Sequence, residues 1–136
     1  MSTKPIILAI DDESSIRLLL KSFLSTNYDV TIKSDGKEAL EWLEGNRPPD
    51  LIICDIQMGG KEEDTKGGKA FVEKLRERGY TKHTPVIMLS SVESSQEKIK
   101  CYRLGAQDYL KKPFNPEELE AVVEKNLHPI QYAKKW

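Results

Sequence analysis

The chain has 136 residues, of which 38% are hydrophobic and 32% charged, a size and balance that suit one ordinary globular domain with a real core. Its 21 basic and 22 acidic side chains leave a net charge of -1, which gives no charge-driven reason to bind nucleic acid or a membrane surface. The apolar run near the amino terminus, Ile6 to Ile10, is too short for a signal peptide or a membrane span, so a cytoplasmic location without membrane insertion is expected.

Apolar runs alternate with helical patterns along the chain, as in a parallel sheet wrapped by crossover helices, so the expected class is α/β. The first strand is Ile6 to Ile10. It is followed by a helix whose Ile16, Leu19, Leu20, Phe23 and Leu24 form one apolar stripe expected to pack on the sheet. Ser14 and Ser15 are its candidate caps, with Asp12 and Glu13 near the positive end of its dipole. Tyr28, Val30 and Ile32 alternate with polar residues and predict an edge strand. A second helix, about Gly36 to Leu43, buries Ala39, Leu40 and Leu43 and stops at Gly45. Pro48 and Pro49 then turn the chain into the strand Leu51 to Cys54.

The third helix buries Phe71, Val72 and Leu75 and ends near Gly79, ahead of the strand Val86 to Leu89. The fourth, around Ser95 to Leu104, has the poorest stripe, with Ile99 and Tyr102 as its anchors. The short segment Asp108 to Leu110 reads as the other edge. Asn115, Pro116, Glu117 and Glu118 then start a fifth helix that buries Leu119, Val122 and Val123. The expected organisation is one domain over 1–136, with a core of about 4–127 and a short tail over 128–136. Cys54 and Cys101 lack metal-site spacing and read as free thiols, and His83 and His128 as surface imidazoles.

Asp11 and Asp12 follow the first strand and Asp55 follows the third. If those strands are parallel neighbours, the three acids meet in a cleft at the carboxyl edge of the sheet, where ligands of open α/β sheets bind. Carboxylates about 4 Å apart repel by about 4 kcal/mol per pair at an effective dielectric near 20, so such a cluster calls for a cation or a shared proton. A hard metal and phosphate chemistry fit it. Taken singly, each residue has a plainer reading: acids after a strand cap helices, and most lysines are solvated.

Four segments in order, Asp11-Asp12, Asp55, Ser90 and Lys112-Pro113, each stand at a strand's carboxyl end, and together they resemble the receiver domain of two-component response regulators. The resemblance covers nearly the whole chain. It implies a flavodoxin-like, doubly wound sheet of five parallel strands flanked by five helices, with the order 2-1-3-4-5 taken from the family. It also implies that Asp55 is the phosphoacceptor, assisted by Ser90 and Lys112, and that Mg²⁺ is held by Asp12, Asp55 and the backbone carbonyl of Gln57, with Asp11 holding a water on the ion. Lys112-Pro113 would be cis, aiming the lysine inward.

By the same resemblance, Ser90 and Tyr109 form the switch, and the readout face is built from the fourth helix, fifth strand and fifth helix. The phosphodonor would be a sensor histidine kinase or a histidine phosphotransfer protein, and the receiver of the signal a downstream protein. A phosphorylation-dependent homodimer is left open. The chain departs from the family where Gly59 replaces the usual proline and the stretch Gly59 to Gly68 is longer, which reads as a mobile loop. Gln57 and Val92 flank the route of hydrolytic water, and Val92 has no side-chain group to position it. Two other classes stay in view: a Mg²⁺-dependent phosphohydrolase, disfavoured by Gln57 where such enzymes carry a second acid, and an interaction domain that works without phosphorylation.

Overall fold

The computed structural model describes residues 4–57, 66–78, 83–92 and 94–128. Strands β1 (Ile6–Ile10), β2 (Asp29–Lys33), β3 (Leu51–Asp55), β4 (Val86–Ser90) and β5 (Asp108–Lys111) alternate with helices α1 (Ser14–Leu24), α2 (Gly36–Gly45), α3 (Lys66–Glu77), α4 (Ser95–Arg103) and α5 (Pro116–Leu127). The sheet is wholly parallel, in the order β2-β1-β3-β4-β5. The three continuously apolar runs lie inside, and the alternating β2 and short β5 are the edges, as their patterns predict.

Side chains alternate across the sheet, so each central strand supplies two cores. Leu8, Ile10, Ile52, Cys54, Val86 and Met88 face α2, α3 and α4, where Ala39, Leu43, Phe71, Val72, Leu75 and Cys101 complete one layer. Ile7, Ala9, Ile53, Ile87 and Leu89 face α1 and α5 and meet Leu20, Leu24, Leu119 and Val123. Each fully buried leucine, isoleucine or valine contributes about 1.5–3 kcal/mol, which makes this double layer the principal source of stability. The order in which strands are added reverses between β1 and β3, the place where open α/β sheets bind ligands. Among the described residues, no helix is long and apolar enough to cross a membrane.

Several local expectations are corrected. Leu19, expected inside, is exposed, and Leu18 beside it is 71% exposed; Leu20 and Leu24 carry the α1 contact, with Ile16 and Phe23 partly buried. A stripe of five positions is wider than the face that α1 turns to the sheet. Ser14 and Ser15 lie within the helix, and its N-cap is Glu13 without a side-chain cap bond. In α4, Ile99 and Tyr102 are 46% and 47% exposed, and Cys101 is the buried anchor. Leu40 is only partly buried. Met58 to Thr65, Gly79 and the tail beyond His128 lie outside the described residues, whereas Gly67 and Gly68 belong to α3.

Arg76 fastens the amino-terminal edge of β4 and β5. Its guanidinium donates to the carbonyls of Thr84 at 2.8 Å and Gly105 at 2.6 Å, and to Gln107 Oε1 at 3.2 Å. Gly105 has φ +101°, the left-handed conformation that ends α4, and Ala106 N closes the turn onto the Cys101 carbonyl.

Gly68 is required for close approach rather than for flexibility. A Cβ there would lie 2.6 Å from Ile56 Cα and 2.7 Å from the Asp55 carbonyl oxygen, both backbone atoms that cannot swing aside. Gly68→Ala is therefore expected to destabilise the protein by about 1–3 kcal/mol, as overpacking does, measured as a lower urea midpoint with an unchanged slope.

Candidate functional site

Parallel register brings the strand ends together: Ile10 lies beside Cys54, Asp55 beside Leu89 and Ser90 beside Lys111. The residues that end or follow these strands therefore share one edge. Asp11 is fully buried, Asp55 is 1% exposed, Lys112 is 8% exposed and Asp12 is half-buried. Carboxylate oxygens of Asp11, Asp12 and Asp55 lie within 4.8 Å of one another.

Lys112 reaches into this cluster. Its Nζ stands 2.9 Å from Asp11 Oδ2, 3.3 Å from Asp55 Oδ1 and 3.4 Å from Glu13 Oε1. Backbone donors fix the carboxylates: Glu13 N donates to Asp11 Oδ1 at 2.9 Å and Gln57 N to Asp55 Oδ1 at 3.1 Å. Arg17 donates to the Asp11 carbonyl at 2.9 Å, and Lys112 N to the Ser90 carbonyl at 2.8 Å. The Lys112-Pro113 bond is cis.

Burial, and then repulsion from Asp11, push the Asp55 carboxyl up to about 6, against the pull of Lys112. Burial likewise raises Asp11. For Lys112, burial works to lower the ammonium, but its hydrogen bond to Asp11 and the surrounding carboxylates outweigh that and raise it. One ammonium among three crowded acids leaves a net negative site. Its donors are all oxygen and one of them is open to solvent, which fits a small hard divalent cation. Burial, then the nearby Asp55, raise the Cys54 thiol far above its ordinary value, so it does not compete as a nucleophile.

The switch candidates form a second chain of contacts. The Ser90 hydroxyl accepts from Val92 N at 3.0 Å, and the Tyr109 hydroxyl donates to the Val92 carbonyl at 2.6 Å. Tyr109 is buried, with Lys98 Nζ 5.6 Å from its ring centroid. Val92, unpromising by its side chain, thus takes part through both backbone groups. Sequence reading passed over Glu13 as the third partner of Lys112 and Arg17 as a support of Asp11; it placed Gln57 beside the water route but did not foresee that its Oε1 accepts from Ser91 N at 3.3 Å. Glu13 adjoins the acidic pair and was open to suspicion; Arg17 lies in no motif, and the place of Gln57 two residues past Asp55 does not signal a contact with Ser91.

The sequence matches the response regulator receiver domain over residues 7–124. The chain belongs to the receiver domain family. Members of this family are signalling switches that take a phosphoryl group on an aspartate from sensor histidine kinases. The chain is 37% identical over 122 residues to the sensor histidine kinase TmoS of Ectopseudomonas mendocina, covering 90% of the chain and 12% of that protein. It is 36% identical over 128 residues to the alkaline phosphatase synthesis transcriptional regulatory protein PhoP of Bacillus subtilis, covering 93% of the chain and 50% of that protein. The chain thus spans about half or less of the curated relatives it matches. Among solved structures, the chemotaxis response regulator CheY4 of Vibrio cholerae superposes with a TM-score of 0.82 at 35% identity, over 92% of this chain and all of that one.

The crowding has a pH signature. Asp55 ordinarily titrates near 3.8, so between that value and about 6 the folded state holds a proton that the unfolded chain has lost. Its contribution to stability therefore declines as pH rises through this window. In chelator, Asp55→Asn is expected to melt close to the wild type at pH 4 and a few degrees above it at pH 7. A melting difference independent of pH would contradict the repulsion.

Proposed function

We infer that this receiver domain is phosphorylated on Asp55, with Mg²⁺ as cofactor, by a sensor histidine kinase or a histidine phosphotransfer protein. The observation that carries this reading is the meeting of Asp11, Asp12, Asp55 and Lys112 at one strand edge, with Asp55 oriented by Gln57 N and Lys112. In the transfer, a carboxylate oxygen of Asp55 bonds to phosphorus as the bond from phosphorus to the donor imidazole breaks. The electron pair leaves with the imidazole, and the product is an acyl phosphate. Attack of water on that phosphorus restores the carboxylate and releases inorganic phosphate.

Asp12, Asp55 and the Gln57 carbonyl would hold the ion, with Asp11 beside them. When bound, Mg²⁺ offsets the repulsion between an anionic nucleophile and an anionic donor. Lys112 adds a fixed positive charge for the phosphoryl oxygens and exchanges part of its contact with Asp55 for them. Asp11 and Glu13 hold its ammonium in place meanwhile.

Phosphorylation adds about -1.5 to -2 charges and three strong acceptors beside Ser90. A pull on the Ser90 hydroxyl alters its bond with Val92 N, and Val92 in turn holds Tyr109. The altered face consists of α4, β5 and α5, where the half-exposed Ile99 and Tyr102 offer apolar contact to a downstream protein or to a second copy of the chain. In this role the chain acts as a cytoplasmic switch that catalyses its own modification and its own hydrolysis.

Incubation with Mg²⁺ and a small acyl phosphate is expected to add the mass of one phosphoryl group to the wild type and none to Asp55→Asn, read by intact mass spectrometry. Turnover of unrelated phosphate esters would favour a hydrolase instead. Ser90→Ala is expected to gain the same phosphoryl mass yet lose most of the amide shift response in α4 and β5. A full response in that variant would remove Ser90 from the coupling.

A further inference from the structure

The Gln57 side chain is 7% exposed, held between the end of β3 and the segment that follows β4. The backbone and the side chain of Gln57 reach in opposite directions. The backbone N donates to Asp55 Oδ1 at 3.1 Å, and the carboxamide Oε1 accepts from Ser91 N at 3.3 Å. Ser91 follows Ser90 directly, and Ser90 and Tyr109 meet at Val92. A route of three hydrogen bonds joined by backbone therefore runs from Asp55 through Gln57 to Ser91, then along the chain to Val92 and on to Tyr109. It exists without a phosphoryl group, and it bypasses the Ser90 hydroxyl, which joins it only as a side branch at Val92 N.

We propose that Gln57 is a positioning residue whose carboxamide, by accepting the Ser91 amide, braces the segment after β4 against the Asp55 loop and sets where the switch rests before phosphorylation. This role rests on Asp55 as phosphoacceptor and adds to it a second mechanical link beside Ser90. Burial makes the brace specific. The carboxamide is enclosed on nearly all sides, its Oε1 meets Ser91 N while its Nε2 has no hydrogen-bond partner among the described residues, and an apolar side chain of the same length fills its space without supplying the acceptor. With the brace gone, the segment over 90–92 is free to sample positions that phosphorylation would otherwise select, so the resting and phosphorylated states draw together.

The test is Gln57→Met, close in length and volume. Hydrogen exchange in the unphosphorylated protein is expected to speed up about five-fold at the Ser91 amide, the equivalent of one ordinary hydrogen bond, and to stay unchanged at Ile53 in the core. Amide and Tyr109 ring shifts of the resting protein should move toward their phosphorylated positions, so that the shift change per phosphoryl group bound is reduced by at least half. Unchanged exchange at Ser91 would overturn the proposal, as would an acceleration shared equally by Ile53 or an unaltered response per phosphoryl group. The exchange measurement needs no phosphorylation. Failure of the wild type to take up a phosphoryl group would therefore strike the functional reading while leaving the brace to be judged at Ser91.

Discussion

Crowding of carboxylates around a single buried ammonium is the interaction on which this structure turns. Hydrophobic layers on both faces of the sheet supply the free energy that keeps Asp11 and Asp55 close together and out of water. Lys112 relieves the repulsion without cancelling it, because three acids of the edge and Glu13 share one positive charge. The fold is thus held slightly uphill at one place, the acidic edge of the sheet.

Much of the architecture was legible because it rests on period and punctuation. Strands covered on both faces, β1, β3 and β4, are continuously apolar, and Asn115-Pro116-Glu117-Glu118 starts α5 with Asn115 capping Glu118 N. Acids and the lysine at strand ends were legible for a related reason: polar residues closing apolar runs must lie at the sheet edge. Contacts that depend on angle were not. Leu19 satisfies the helical spacing yet lies just off the arc that α1 presents to the sheet. Cys101 outranks Ile99 and Tyr102 in α4 because the helix is rotated to bring the smaller residue inward.

Backbone participation escapes sequence reading for a different reason. Val92 contributes a donor and an acceptor that every residue except proline possesses, so its letter says nothing of its part in the Ser90 and Tyr109 contacts. Gly68 shows the converse. Its letter suggested a loose loop, but the missing side chain lets α3 rest on the backbone of Asp55 and Ile56. The same residue type serves suppleness in one setting and tight fit in another, and three-dimensional neighbours decide between them.

The Arg76 clamp ties down one end of α4. Gly105, at the carboxyl end of α4, is bonded to a guanidinium that also grips Thr84 and Gln107. Ser94, which caps the opposite end by accepting from Glu97 N, lies two residues beyond Val92. A displacement entering through Ser94 would turn the helix about Gly105 as a lever turns on its fulcrum. The half-exposed Ile99 and Tyr102 ride on the arm of that lever, and Ile99, farther from the pivot, sweeps the longer arc.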